Sequence, residues 1–389
     1  MELELSPSQK YARKQCRKTN NNIFINGSAG TGKSKVLAVI VKYLNCRVVA
    51  PTGVSAINAN GVTLQSFFSI KEPYSFEDHK YKKLKINFDT LIIDEISMVT
   101  IDCFKIIDKV LRTATGTDKP MGGLRIIVLG DFKQLPPTNA KGTLSPVCNS
   151  DLWKQLNFVE CILHKNYRNV SKVQLQLLEQ MRNGNETPEV IQYLQERNIS
   201  VDEAMTNKYS DYVHLFWSNN LMDNYNEKRL SQLKDSQVYS MTFTIDNIED
   251  QYYFKIGARV MCNRNMYSLN VMNGQCGYIT DIDIVQSIIT VKMDDGRSID
   301  FDRFIDIKTD DNGITTKYNY IPLQLAWGIT ISKSQGMSLD KTVVYFRDNM
   351  FYGQAYVGVS RVRNMDNMKV VNYAPGKNIF QAVETKNVF

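Results

Sequence analysis

The apolar positions fall into short β-branched runs separated by stretches of helical periodicity. Residues 23–25, 47–50, 91–93 and 124–129 read as buried strands, each ending in a polar or turn sequence. Residues 35–44 (KVLAVIVKYL) read instead as a helix with one apolar face. Strands alternating with helices predict a parallel sheet covered by helices, whose ligands gather at the carboxyl ends of the strands. Residues 341–346 and 368–371 return to the same buried parallel character. Between about 254 and 320 the texture changes. Strand-like runs at 259–262, 277–282, 288–293 and 297–301 are joined by turns, with Asn273-Gly274 and Asp294-Asp295-Gly296 as hairpin signals. That stretch predicts a small β-barrel.

Composition changes this picture little. A chain of 389 residues is too long for one ordinary core and predicts two or more domains. With 43% hydrophobic and 22% charged residues it has ordinary soluble composition. The seven cysteines are scattered without a C-x-x-C pair, and there are three histidines, which argues against a disulfide framework or a His-rich metal centre. The start has no apolar signal region and no stretch approaches a membrane span, so a soluble, intracellular protein with no membrane partner is expected. Net charge is +7, a mild lean toward an anionic partner. Lys10, Arg13, Lys14, Arg17 and Lys18 follow a Ser6-Pro7-Ser8-Gln9 helix start at helical spacing. On charge alone this is a solvated helix face.

Chemistry concentrates where the strands end. After the first comes Gly27-Ser28-Ala29-Gly30-Thr31-Gly32-Lys33-Ser34, whose spacing fits a phosphate-binding loop. Its glycines let backbone N–H groups turn inward around a phosphate, and the following helix adds its positive end. Lys33 supplies a cation for the β- and γ-phosphates, and Ser34 a hydroxyl for Mg²⁺. The third strand delivers Asp94-Glu95 to its edge: Asp94 suits Mg²⁺, and Glu95 suits a base that orients and deprotonates the attacking water. The fourth ends in Asp131-Phe132-Lys133-Gln134-Leu135-Pro136-Pro137. The neutral amide of Gln134 can bond both a γ-phosphate and the lytic water.

Taken together, GSAGTGKS, APTGVSAINANGVTLQSF, IIDEISMV and LGDFKQLPP resemble motifs I, Ia, II and III of superfamily 1 helicases. Their order and wording most resemble the petite-integration-frequency (PIF) family, related to the RecD-like and Dda-like enzymes. Lys165-Asn166-Tyr167-Arg168 is similar to motif IV, residues 323–340 to motif V, and Gln354 to Arg361 to motif VI. Lys119 to Gly123 stands where the family carries a signature of its own. The resemblance covers about residues 9–371.

What the resemblance implies is an α/β fold of two RecA-like parallel-sheet motor domains with ATP between them. Residues 1–165 would form the first domain, with a wedge insertion at about 70–87. Residues 166–389 would form the second, its barrel at about 254–320 being SH3-like. The activity implied is ATP-dependent unwinding of DNA in the 5′ to 3′ direction, with ATP and Mg²⁺ as cofactors. Partners would be single-stranded DNA and duplex junctions, with replication or repair proteins, around a monomeric motor. Gln9 would read the adenine edge, Arg168 and Arg361 would act as arginine fingers, and Gly336 would join the nucleotide site. Pro51, Thr52 and Gly53, with Gln65, Ser66 and Phe67, would contact DNA in the first domain, although Phe67 and Phe68 fit a core equally well. Ser332, Lys333, Ser334 and Gln335 would do so in the second. Gln65 and Ser332 stand where many members have histidine, and Met121 replaces an aromatic. In the wedge, Lys80, Lys82, Lys83 and Lys85 would hold phosphates, with Tyr74, Phe76 or Tyr81 against the end base pair; a solvated loop is the alternative. Two other classes fit the same motifs: a translocase that clears bound proteins, and a nucleotide-gated DNA-binding scaffold.

Overall fold

Ser6 starts the first helix, α1 (Pro7–Lys18), by a reciprocal pair of bonds. Its hydroxyl accepts from the Gln9 amide, while Gln9 Oε1 accepts from the Ser6 N–H. Gln9, Ala12 and Cys16 fall on one buried face at helical spacing. Arg125 closes the other end by donating to the Cys16 and Gln15 carbonyls at 2.7 and 3.3 Å, a cation at the negative end of the helix. In this computed structural model the described residues are 4–70, 84–139, 142–143, 145–167, 171–233, 238–245, 248–309 and 315–383. They form two compact units, one running to Thr206 and resuming at Ser334, the other spanning Asn207–Lys333.

The first unit is built on a six-stranded, wholly parallel sheet. Its strands are β1 (Ile23–Asn26), β2 (Cys46–Ala50), β3 (Val62–Thr63), β4 (Thr90–Ile93), β5 (Arg125–Gly130) and β6 (Val159–Ile162), in the order β3-β2-β4-β5-β1-β6. Helices cover both faces, so the central strands are buried on both sides and read as continuous apolar runs. On one face Phe24 of β1 packs with Phe132 and with Trp153 of α6 (Asp151–Leu156), ring centroids 5.4 and 5.6 Å away. α5 (Ile101–Thr115) joins that cluster. On the other, Ile23 and Ile25 meet Ala12 and Cys16 of α1 and Val36, Leu37 and Ile40 of α2 (Lys33–Ile40). Since β4, β5 and β1 are neighbours, the loops that leave them emerge side by side. That adjacency brings the phosphate loop, Asp94-Glu95 and residues 131–137 to one edge.

The same unit holds α7 (Lys172–Arg182) and three more parallel strands: β7 (Asn198–Ile199), β8 (Thr342–Tyr345) and β9 (Met368–Val371), with β9 in the middle. It also holds α8 (Gln354–Val359), all six residues of which are buried.

In the second unit Val213–Phe216 pairs parallel with Gly328–Thr330. Asn226 of the helix Asn219–Gln232 fastens this pair, its side chain both donating to Gly328 O and accepting from Gly328 N. An antiparallel meander follows: Arg259–Cys262, Cys276–Asp283, Ile288–Met293 and Ser298–Phe301, with Leu323–Leu325 against its first strand. Gly274 and Gly296, both with φ near 90°, stand at the two turns the sequence marks as hairpin signals. A second antiparallel group runs through Ile248–Phe254, Tyr239–Ile245, Thr315–Tyr320 and Phe304–Thr309. Of the wedge expected at about 70–87, residues 71–83 lie outside the described residues, as does Arg168. No described helix is long and apolar enough to cross a membrane.

Candidate nucleotide site and motor residues

The loop between β1 and α2 is shaped by its glycines and by the chain that leaves β6. Gly32 adopts a left-handed φ of 79°, and a Cβ there would lie 2.6 Å from Gln9 Nε2. Leu163 N donates to Asn26 O, Asn166 Nδ2 to Ala29 O and Tyr167 N to Gly30 O, so residues 163–167 splint the loop from behind. The Lys33 ammonium lies inside the loop, 2.6 Å from Gly27 O. Helix α2 begins at Lys33 rather than at 35, because Gly32 itself is the cap.

Asp94 and Glu95 stand one residue apart in opposite circumstances. Asp94 is 5% exposed, and its pKa is pushed up to about 7 by burial and then by the Glu95 charge, with Lys33 opposing. Its Oδ1 accepts the Glu95 N–H at 3.0 Å. Glu95 has φ +50°, a strained backbone for a residue with a side chain. Its Oε2 is buried and has no protein hydrogen-bond partner among the described residues. An orphaned carboxylate oxygen beside a phosphate loop is what a base awaiting a water requires.

Gln134 and Arg361 meet although 227 residues separate them. Arg361 Nη2 lies 3.5 Å from Gln134 Oε1, and both residues are almost fully buried. Arg361 is anchored by its own helix: Nε donates to Val357 O at 3.0 Å, and Nη2 to Ser360 Oγ at 2.7 Å. On its other side Gln134 Nε2 is 3.4 Å from Asp131 Oδ2. Asp131 in turn is gripped by Arg182 at the end of α7. Lys133 Nζ reaches Asn183 Oδ1 beside it. Tyr356 of α8 is buried, and burial followed by the Asp131 charge pushes its pKa up, with Arg182 opposing. Gly353, which caps α8 at φ 70°, lets that helix press on the loop after β5: a Cβ there would lie 2.5 Å from Gln134 O.

Lys33, Glu95, Gln134, Tyr167, Gly336 and Arg361 together line a cleft of about 480 Å³. Gln9 sits beside it, wholly buried, with Nε2 donating to Thr31 O and Oε1 accepting from Tyr167 OH at 2.8 Å. Sequence reasoning assigned no role to Tyr167, Arg182, Tyr356 or Arg363. Tyr167 stands inside a motif without a chemical role of its own, yet a 41% exposed aromatic beside Gly32 is a natural neighbour for a flat base. Arg363 also lines the cleft and pairs with Asp340 at 2.6 Å. The glycine-lined cradle, its lysine, the Ser34 hydroxyl at the start of α2 and the Asp94 carboxyl suit a magnesium-bound nucleoside triphosphate. The unpartnered Glu95 oxygen suits the water that attacks it.

The residues expected on the DNA track are spread over separate elements. Thr52 caps α3 (Gly53–Asn58), its hydroxyl accepting from Ser55 N, with Pro51 and Gly53 on either side. Gln65, Ser66 and Phe67 belong to α4 (Leu64–Phe68). Phe68 is core, while the half-buried ring of Phe67 has Phe68 at its edge and the Arg47 guanidinium over it. Ser332 and Lys333 are exposed, whereas Ser334 and Gln335 are buried. Neither end of the Gln335 amide has a protein partner among the described residues.

Comparison with known proteins points one way. The model of a family described as PIF1-like helicase matches residues 4–200. The chain is 28% identical to the ATP-dependent DNA helicase Pif1 of Bdellovibrio bacteriovorus over 96% of its own length and 89% of that protein. It is 32% identical to the ATP-dependent DNA helicase PIF1 of Xenopus laevis over 92% of its length, but spans 60% of that longer protein. Among solved structures, Bacteroides Pif1 bound to single-stranded DNA aligns with a TM-score of 0.83 at 29% identity, over 97% of this chain and 94% of that one. With the phosphate loop, the paired carboxylates and the buried arginine already assembled at one cleft, these matches make the chain a member of the PIF1-like helicase family, ATP-dependent enzymes that act on DNA.

Proposed function

We propose that this chain hydrolyses ATP to move 5′ to 3′ along single-stranded DNA and parts the duplex ahead of it. The observation that carries the reading is the meeting of Glu95, Gln134 and Arg361 at the cleft lined by the phosphate loop. A protein that only binds nucleotide needs no buried, unpartnered carboxylate aimed into its phosphate site.

In this reading the glycine loop and Lys33 hold the phosphates, Gln9 and Tyr167 the base, and Gly336 the far wall. Ser34 and Asp94 would hold Mg²⁺, which when bound screens the phosphate charge and fixes their geometry. Glu95 orients the attacking water and takes its proton. Arg361 places a planar cation where charge builds on the equatorial oxygens, and Arg168 is proposed as its companion. Gln134 touches Arg361 on one side and Asp131 on the other, so it can pass the state of the phosphates into the loop after β5. Pro51, Thr52 and Gly53, with Gln65, Ser66 and Phe67, form one part of the DNA track; Ser332 to Gln335 form the other.

Strand displacement on duplexes carrying either a 5′ or a 3′ single-stranded tail tests the proposal. ATP-driven separation from the 5′ tail alone is expected. Separation from the 3′ tail alone would overturn the direction. ATP turnover without separation from either tail would overturn the unwinding step and leave a translocase.

A further inference from the structure

Helix α1 concentrates charge in a way its own stability does not explain. Its twelve residues hold Lys10, Arg13, Lys14, Arg17 and Lys18 and no acidic residue, a net +5 in a chain whose formal total is +7. Lys10 and Lys14, Arg13 and Arg17, and Lys14 and Lys18 are like charges four apart, an arrangement that destabilises a helix. Lys10 also sits near the positive end of the helix, where an acidic residue would be favoured. Lys10, Lys14, Arg17 and Lys18 are exposed, and Arg13 is half-buried. The turn that follows α2 continues the surface with exposed Lys42 and Tyr43. Tyr43 is 51% exposed with the Arg17 guanidinium 4.9 Å from its ring centre, and Tyr11 of α1 is 49% exposed.

From this we infer that the outer face of α1, with the turn after α2, is a second nucleic-acid surface that takes the single strand displaced from the duplex. The inference rests on the DNA-motor reading above. A row of cations on a helix that carries no acidic residue of its own matches a phosphate backbone, and the exposed rings of Tyr11 and Tyr43 offer surfaces on which unpaired bases stack. Along a duplex the base faces are covered by stacking, so the aromatics favour a single strand. Lys10, Lys14 and Lys18 succeed one another about 6 Å apart along the helix axis, in register to follow an extended strand. None of the three belongs to the nucleotide cleft. The surface is therefore separable from the motor.

The test uses the full chain and a Lys10→Gln, Lys14→Gln, Lys18→Gln variant, with binding measured across a salt series. The substrates are a fork with both tails, a duplex with only a 5′ tail, and a blunt duplex. Each lost phosphate contact on a single strand lowers the salt slope by about 0.7, so the variant should lose about two units of slope on the fork and none on the 5′-tailed duplex. Its melting temperature should hold or rise, because three like-charge neighbours are relieved, and a Lys→Arg triple should restore the slope. Equal slopes for parent and variant on the fork would overturn the inference and leave a solvated face. An equal loss on the blunt duplex would also overturn it, making the occupant duplex. DNA-stimulated ATP turnover by the parent decides the motor reading separately, since the salt slope needs no hydrolysis.

Discussion

Arg182 grips Asp131 with two nitrogens, Nη2 on Oδ1 at 2.7 Å and Nε on Oδ2 at 3.2 Å. Asp131 is wholly buried, and burial alone would raise its pKa. The Arg182 guanidinium more than offsets this and holds the carboxyl below its usual range. The ionised carboxylate then orders the start of the loop after β5, accepting from Lys133 N at 3.1 Å and facing Gln134 Nε2 at 3.4 Å. Arg182 thus positions Gln134 from a helix that never enters the cleft.

Replacing Arg182 should therefore alter turnover more than nucleotide affinity. Arg182→Lys keeps the charge but loses the two-pronged grip. We expect a kcat for ATP roughly tenfold lower with little change in KM, as for an interaction felt mainly in the transition state. Arg182→Ala strands a buried carboxylate and should cost about 3–5 kcal/mol of stability. Steady-state ATPase and a urea melt check the pair. An Arg182→Lys enzyme with parental kcat would show that the grip is only structural.

Glu95→Gln keeps the shape of the side chain and removes the base. ATP binding should survive while turnover falls about 10²–10⁴-fold, the usual worth of a general base. Nucleotide titration beside single-turnover hydrolysis measures both. Near-parental ATPase would refute the role proposed for Glu95.

Gly353 is the point at which α8 touches the backbone of Gln134. In Gly353→Ala the new Cβ would sit 2.5 Å from a carbonyl oxygen, on a residue whose φ of 70° suits only glycine well. A loss of about 1–3 kcal/mol is expected, with reduced ATPase as Arg361 shifts from Gln134. Thermal melts and turnover should fall together; an undisturbed melting temperature would mean the two backbones are not in tight contact.

His214 carries a pH signature for the second unit. Its ring is buried against Tyr225 and Phe216, and burial lowers its pKa to about 3, the Tyr209 carbonyl opposing. Unfolded, the imidazole binds its proton near pH 6.5. The unfolded chain therefore takes up the proton first, so the stabilisation from a neutral His214 is complete above pH 6.5 and is lost as pH falls toward 3. Urea midpoints measured from pH 7 to pH 4 should drop further for the parent than for His214→Phe, and parallel curves would disprove the linkage.

Much of the architecture was legible because its signals are local. The apolar runs at 23–25, 47–50, 91–93 and 124–129 coincide with β1, β2, β4 and β5 to within a residue or so, since a strand buried on both faces has little freedom of composition. The hairpin turns followed from Asn273-Gly274 and Asp294-Asp295-Gly296, whose glycines take the positive φ that the turns need. Helix α2 was placed two residues late, because a capping glycine in a phosphate loop resembles a turn rather than a helix start. The partners of Asp131 were not legible. Arg182 lies 51 residues away, near the end of a helix rich in glutamine and leucine, and nothing in its neighbours distinguishes it from a surface cation. Tyr356 was hidden likewise, as one apolar letter in a buried helix. Long-range polar contacts leave no periodic trace in a sequence.

The wiring of Gln9 has a practical consequence for anyone trimming this enzyme. One carboxamide accepts from the Ser6 amide and the Tyr167 phenol while donating to the Thr31 carbonyl. The first helical turn thus belongs electrically to the phosphate loop, although it lies outside the sheet. A chain started at Tyr11 would keep every glycine of that loop and every strand beneath it. It would nonetheless leave a phenol and a carbonyl unanswered around the entrance, and a nucleotide would have to order those groups itself on arrival. Such a truncation should fold and still bind its fuel weakly, a defect that inspection of the motifs alone would never suggest.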